Sequence, residues 1–453
     1  MSEARVQRLP DGELLEDREQ LLAALRRGHR PRAGWKLGFE YEQFVTHADG
    51  SPVPFDGARG VEAMLVRIAE LTGWRTGGEA GRVLSLAAPD GRTITLEPGA
   101  QIEFATGLCD DVPAIAAQVG EYFEVLARLG EEFDVAFLAL GAHPGAAPDE
   151  IERIPKERYR IMEPYLAGSG DLGVWMMKAT AGIQVNLDHA DEADAMAKLR
   201  LVFALSPLLT ALFANSPVRA REASGFASWR GHVWSRTDPA RCGLVEALAR
   251  PDSSFEDYVD WALAAPMLFV QRDGRFRDMR GRNFRQFLEA GAGDLRACYG
   301  DWELHLSTLF PEARFRPQLE LRSFDTQCPP RSLALCALAE GLFYRPQAMA
   351  EAWERWGGWS HAERVQTWRD GHRAGLAAIA PDGRPLLEHA RDLLAIVDPA
   401  PASRCFLYPL TTLLEQGESA GERLARSFTE EWGRSVPRLV EEVRCIRGRT
   451  GAV

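Results

Sequence analysis

The sequence predicts an α+β fold in which short strands of alternating polarity are set among helices. Three observations predict it. Residues 38–42, 101–104, 183–187 and 319–322 alternate polar and apolar side chains with period two, as half-buried strands do. Residues 61–71 and 191–213 instead repeat apolar positions at helical spacing, and from Ser332 onward the pattern is mostly helical. No internal repeat or low-complexity linker divides the chain.

Residues 1–33 read as a charged leader with a helix over 13–27. A strand over 35–45 ends at the turn His47-Ala48-Asp49-Gly50-Ser51-Pro52. A helix over 61–71 precedes a hairpin that pairs 83–87 with 93–96 around Pro89-Asp90-Gly91. After a strand over 101–105, Asp110 or Asp111 caps a helix with Pro113 in its first turn, running to Phe133. Strands follow over 135–140 and 182–187, separated by the loop Ile154-Pro155-Lys156-Glu157-Arg158-Tyr159. The helix over 191–213 carries Pro207, which predicts a kink or break there. Residues 230–234 read as strand-like, and a last strand spans 317–322. The expected organisation is a leader over 1–33 and a single domain over 34–453, helical from about residue 332, with loops at Gly357-Gly358 and Asp398-Pro399-Ala400-Pro401.

A net charge of −12 argues against a nucleic-acid surface, which needs a basic stripe. The charged first residues lack a signal-type apolar core, and no stretch approaches the ~18 uncharged apolar residues of a membrane span. Seven scattered cysteines, without C-x-x-C, read as reduced thiols and predict a cytoplasmic protein.

The polar faces of the four strand segments carry the functional signal. Glu40 and Glu42 oppose Phe39 and Tyr41, and Gln101 and Glu103 oppose Ile102 and Phe104. Gln184 and Asn186 oppose Ile183, Val185 and Leu187, and Glu320 and Arg322 oppose Leu319 and Leu321. A single strand of this kind reads most simply as having a wet face. Glu, Gln and Asn have weak strand preference, however, so four such segments point to a functional surface. If they share a sheet, at least three carboxylates crowd together, which hard cations such as Mg²⁺ or Mn²⁺ accommodate. Arg322 beside Glu320 suits a phosphate, so the set points to phosphoryl transfer from a nucleotide. Glu97, before the Pro98-Gly99 turn, sits either at the mouth of the same face or on plain surface. No Walker A, Gly-x-Ser-x-Gly or His-Glu-x-x-His motif offers another route. A glycosidase built on paired carboxylates has no use for Arg322 beside Glu320.

At these same segments the sequence resembles glutamate–cysteine ligases of the plant and proteobacterial type, carboxylate–amine ligases related in fold to glutamine synthetase. The similar pieces include residues 38–42, 96–104, Pro155-Lys156-Glu157-Arg158-Tyr159, 176–188, 230–234, Thr237-Asp238-Pro239 and 319–322, in order along the chain. The resemblance implies a curved, mostly antiparallel sheet forming a funnel that binds ATP, metal and glutamate. It implies a monomer or homodimer acting on small amino acids, joining glutamate to cysteine through a γ-glutamyl phosphate. Carried over by position, Glu40, Glu42, Glu97, Glu103 and Glu320 would hold two or three Mg²⁺ or Mn²⁺ ions. Lys178, Arg230 and Arg322 would neutralise phosphate or carboxylate charge. Gln184 and Asn186 would line the funnel, with Thr180 and Trp229 at its substrate end. The chain departs from the family pattern at Ala179, where an arginine is expected, at Gly182, where a hydroxyl is expected, and at Gly231, where a serine is expected. Phe324 adds bulk beside the phosphate strand. These departures motivate an alternative, the same chemistry with a different amine or acid. His232 reads as a structural hydrogen-bonding residue, and the tryptophans as packing groups.

Overall fold

In the computed structural model, which describes residues 12–446, nine strands build one antiparallel sheet. They are β1 (Leu37–Thr46), β2 (Arg75–Glu79), β3 (Arg82–Ala87), β4 (Thr93–Leu96), β5 (Ile102–Ala105), β6 (Ala136–Leu138), β7 (Gly182–Leu187), β8 (Ala313–Arg316) and β9 (Gln318–Asp325). The order is β8-β9-β7-β1-β5-β4-β3-β2, with β6 paired to the far end of β1. The four strands singled out by their polar faces are therefore contiguous, β9-β7-β1-β5.

Their alternation explains the layering. Phe39, Tyr41, Ile102, Phe104, Ile183, Val185, Leu187, Leu319 and Leu321 are all buried, each stabilising the fold by roughly 1.5–3 kcal/mol if fully removed from water. They face α-helices α1 (Arg18–Arg26), α2 (Val61–Thr72), α3 (Val112–Phe133), α4 (Glu192–Leu212) and α5 (Pro329–Phe343), whose apolar residues join the same core. Phe104 stacks on Tyr122 of α3 with ring centroids 4.4 Å apart. Leu21, Leu22 and Leu25 bring α1 into this core, and Asp17 and Gln20 close its capping box. The first eleven residues of the expected leader lie outside the described residues.

Of the two capping candidates Asp111 is the one used, accepting from the Ala114 N–H. The helix expected to break at Pro207 runs on through it, and the Ser206 hydroxyl donates to the Val202 carbonyl one turn back at 2.8 Å. α4 is also long and apolar enough to cross a membrane by length and composition, but 89% of its most apolar stretch is buried inside the protein. Residues 230–234 are corrected from strand to helix (Trp229–Trp234). Ser228 supplies its N-cap by accepting from the Gly231 N–H, a local signal that the short polar–aromatic alternation masked.

The Thr237-Asp238-Pro239 segment is held by a buried ion pair. Arg241 donates to Asp238 at 2.7 Å, to the carbonyls of Thr308 and Pro266, and to the Tyr165 hydroxyl, itself bonded to Asp238. With Arg241 fully buried, Asp238→Ala leaves its charge uncompensated. Chemical denaturation should show a loss of about 3–5 kcal/mol, and a loss below about 1 kcal/mol would contradict this account.

Candidate active site

The polar face of β9-β7-β1-β5 forms one wall of a cavity of about 1890 Å³. Glu40, Glu42, Glu97, Gln101, Glu103, Gln184, Glu320 and Arg322 all line it, as does Thr180. The register explains how they meet: Glu40 pairs with Gln184, Glu42 with Glu103, and Glu320 with Asn186. Glu42 and Glu103 are thus like charges directly opposed across a ladder, an arrangement that destabilises a sheet unless it serves something else.

Each of the four carboxylates on the strands, Glu40, Glu42, Glu103 and Glu320, has a donor from the neighbouring strand. Glu40 accepts from Asn186 Nδ2 at 2.9 Å. Glu42 accepts from Gln184 Nε2 at 2.6 Å and from the Gly182 N–H at 2.5 Å. Glu103 accepts from the Thr95 hydroxyl. Arg314 grips Glu320 through both Nε and Nη2, and Arg322 pairs with it at 3.2 Å.

These contacts split the cavity electrostatically. At the acidic end, burial and then the charges of Glu97 and Glu103 push Glu42 up to about 8, against a weaker opposing pull from Arg230 and Gln184. At the cationic end, burial alone would raise Glu320, but Arg314 and Arg322 outweigh it and hold the carboxyl well below its usual range. Burial, helped by neighbouring Arg158, lowers Lys156 to about 8. Burial and Arg314 lower Arg316 to about 10.

Several residues named from the sequence are not brought to this cavity. Lys178 ends the helix Gly173–Ala179 and turns away, its ammonium donating to the Ile151 carbonyl at 2.8 Å with Glu163 at 3.8 Å. Trp229 packs against Trp175 and Phe226. Asn186 sits beneath the wall and reaches it only through Glu40. Arg230 is absent from the cavity lining and lies against Gly182 at the end of β7, donating to the Arg322 carbonyl at 3.2 Å. His232 stacks on Phe226 at 4.2 Å, away from the cavity lining. Phe324 does not crowd the phosphate strand, because a register shift between Leu321 and Phe324 turns its ring onto Phe213. Conversely, sequence reasoning assigned no role to Lys156, Arg158, Arg314 or Arg316, all of which line the cavity. Arg314 and Arg316 stand two residues apart on β8, the period that revealed the acidic faces, whereas Lys156 and Arg158 lie in a loop and turn where no such period applies.

Among the described residues, no three acidic, histidine or cysteine side chains are drawn together closely enough to hold a metal ion as they stand. The chemistry of the acidic end nonetheless fits a hard cation. The charges of Glu97 and Glu103 oppose ionisation of Glu42, and the buried Gln184 Oε1 on the same wall has no hydrogen-bond partner. Glu320 fits one less well, with both its oxygens engaged by arginines.

The model of glutamate–cysteine ligase family 2 (GCS2) matches residues 36–442, nearly the whole described chain. The chain belongs to that family. Relatives agree: a chloroplastic glutamate–cysteine ligase of Brassica juncea is 34% identical over 439 residues, covering 94% of this chain and 84% of that protein. The chloroplastic glutamate–cysteine ligase of Arabidopsis thaliana is 34% identical over 437 residues, covering 94% and 82%. The fold is shared with a glutamate–cysteine ligase from Francisella tularensis in complex with AMP, at TM-score 0.52 and 12% identity over 90% of this chain and 87% of that one. It is shared equally with a bifunctional glutathione synthetase from Pasteurella multocida, at TM-score 0.52 and 14% identity, although this chain spans only 53% of that protein's length. The glutamate–cysteine ligase family member is thus an ATP-dependent carboxylate–amine ligase on an open antiparallel sheet flanked by helices. The relatives' names overturn the cytoplasmic placement. Scattered free thiols separate a reducing from an oxidising compartment and do not tell one reducing compartment from another.

Proposed function

We propose that this glutamate–cysteine ligase family member joins the γ-carboxyl of L-glutamate to the amino group of L-cysteine, using ATP and passing through a γ-glutamyl phosphate. One observation carries the reading: four adjacent strands place Glu40, Glu42, Glu103, Glu320 and Arg322 on a single cavity wall, acidic at one end and cationic at the other. Arg322, Arg316 and Arg158 face the cavity with charge to offer nucleotide phosphates, while Arg314 and Glu320 brace Arg322. Glu40, Glu42, Glu97 and Glu103 are the residues that would hold magnesium, which when bound neutralises phosphate charge during transfer.

Arg322 then stabilises the charge that develops on the transferred phosphoryl group. The incoming cysteine must shed a proton to attack as a neutral amine. Lys156, lowered to about 8 by burial, is a cavity group whose charge changes close to neutrality and that in its neutral form can take it up. Ala179, Gly182 and Phe324 do not line the cavity: Ala179 packs with Ala146 and Ile151, Gly182 lies against Arg230, and Phe324 against Phe213. The family match and the glutamate–cysteine ligases among the relatives support cysteine as the amine.

The test is a reaction with Mg²⁺-ATP, glutamate and a panel of amines, following ADP release and identifying products by mass. Cysteine-dependent ADP release with γ-glutamylcysteine as product is the expected result. Stimulation by another amine but not by cysteine would redirect the acceptor assignment, and ADP release without any amide product would overturn the ligase reading.

A further inference from the structure

A second, smaller cavity of about 10 Å³ adjoins the first beside β9, sharing Trp234, Phe310 and Arg322 with it, and is about the size of a single water. Its lining includes Thr210 of α4, Arg230 and Gly231 of the helix Trp229–Trp234, Glu312, Arg322, and His372 of the helix His361–Ala374. Thr210, Arg230 and His372 are 2%, 3% and 0% exposed. Four of their polar atoms are buried without a hydrogen-bond partner: Thr210 Oγ1, Arg230 Nε and both ring nitrogens of His372. A single water there would meet Thr210 Oγ1, Arg230 Nε and one of the two His372 ring nitrogens, three partners of the kind a buried water takes.

Two glycines make the arrangement fit. A Cβ on Gly182 would stand 2.5 Å from Arg230 Nη2, and one on Gly231 would stand 2.5 Å from His372 Cδ2. The absence of a side chain at both positions admits the arginine and the imidazole together. Arg230 in turn touches the strand that matters. Where the β7–β9 register slips between Leu321 and Phe324, the Arg322 N–H donates to the Glu312 carbonyl at 3.0 Å, and the Arg322 carbonyl accepts from Arg230 Nη2. Arg322 keeps the cavity-facing side it shares with Glu320, at the point where the irregularity begins.

We propose that Thr210, Arg230 and His372 bind one water in this small cavity, and that through it Arg230 is a positioning residue for Arg322. The kinetic consequence rests on the ligase reading above; the water site does not. Thr210→Val keeps the side chain's shape and removes its hydroxyl, whereas Thr210→Ser keeps the hydroxyl. The valine variant should lower kcat about five- to tenfold, with KM for ATP and glutamate changed by less than about twofold and an unaltered Tm. The serine variant should behave as wild type. High-resolution crystal structures of the full chain should show solvent density bridging the three side chains in wild type. That density should be absent or displaced in Thr210→Val, with the Arg322 side chain moved. A dry cavity in wild type, a valine variant with wild-type kcat, or a fall in kcat matched by equal loss in the serine variant would each overturn the proposal. Should wild type release no cysteine-dependent ADP, the ligase reading fails, and the solvent density and the Arg322 position alone decide this one.

Discussion

Arg322→Ala should lower kcat by about a thousandfold while the protein stays folded. Arg322 stands at the cavity wall over the rings of Trp234 and Phe310, 5.7 Å from each centroid, so its guanidinium is confined to the place where phosphate charge would gather. Preorganised charge of this kind acts most strongly on a transition state, because it needs no reorganisation when the phosphoryl group moves. The folded state tolerates the loss, since Arg314 keeps its two contacts to Glu320 and leaves no uncompensated buried carboxylate. Arg322→Lys should fall between, at about ten- to a hundredfold, because an ammonium keeps the charge but loses the paired donors. ADP release measured beside a thermal melt checks both variants. An alanine variant within about fivefold of wild type would remove Arg322 from the phosphate site.

The acidic faces were legible in the sequence because strand geometry is strict. Once Glu40 points one way, Glu42 must follow it, and Phe39 and Tyr41 must oppose them. What period two does not contain is which strands become neighbours. The pairing of Glu40 with Gln184, or of Glu320 with Asn186, is fixed by long-range packing of the apolar faces on α3, α4 and α5. The misplacements share a cause: these residues are carried over by position from the resemblance, and they lie outside the strands or past an irregularity in one. Lys178 lies on a helical turn just before β7, and Arg230 on a helix capped by Ser228, so both rotate away from the wall. Phe324 follows an irregularity that reverses the parity of β9. Arg314 and Arg316 went unassigned because β8 carries only two polar side chains, too few to separate from an ordinary wet edge. The departures at Gly182 and Gly231 looked like losses of hydroxyl groups in the sequence. In the structure they are the space that Arg230 and His372 occupy.

Glu42→Gln should lower turnover at least about a hundredfold, yet stabilise the free protein at alkaline pH. Burial and the charges of Glu97 and Glu103 raise the Glu42 carboxyl from 4.5 to about 8. Between those values the folded protein holds a proton that the unfolded chain has released. The wild type's stability from this group is therefore complete below about pH 4.5 and is lost as pH rises through about 8. Glutamine carries no such proton. Its amide can still accept the Gly182 N–H, and it can donate to the unpartnered Gln184 Oε1 once that side chain turns. The two melting curves should coincide near about pH 5 and separate by a few degrees near about pH 9, with the variant higher. Magnesium should reverse that order. A divalent cation supplies the counter-charge the ionised triad lacks, so Mg²⁺ should raise the wild-type Tm more at about pH 9 than at about pH 6, and should barely move the variant. Parallel pH profiles for the two proteins would mean that Glu42 ionises normally. An equal response to Mg²⁺ would mean that the cation, if held at all, is held elsewhere than between Glu42 and Glu103.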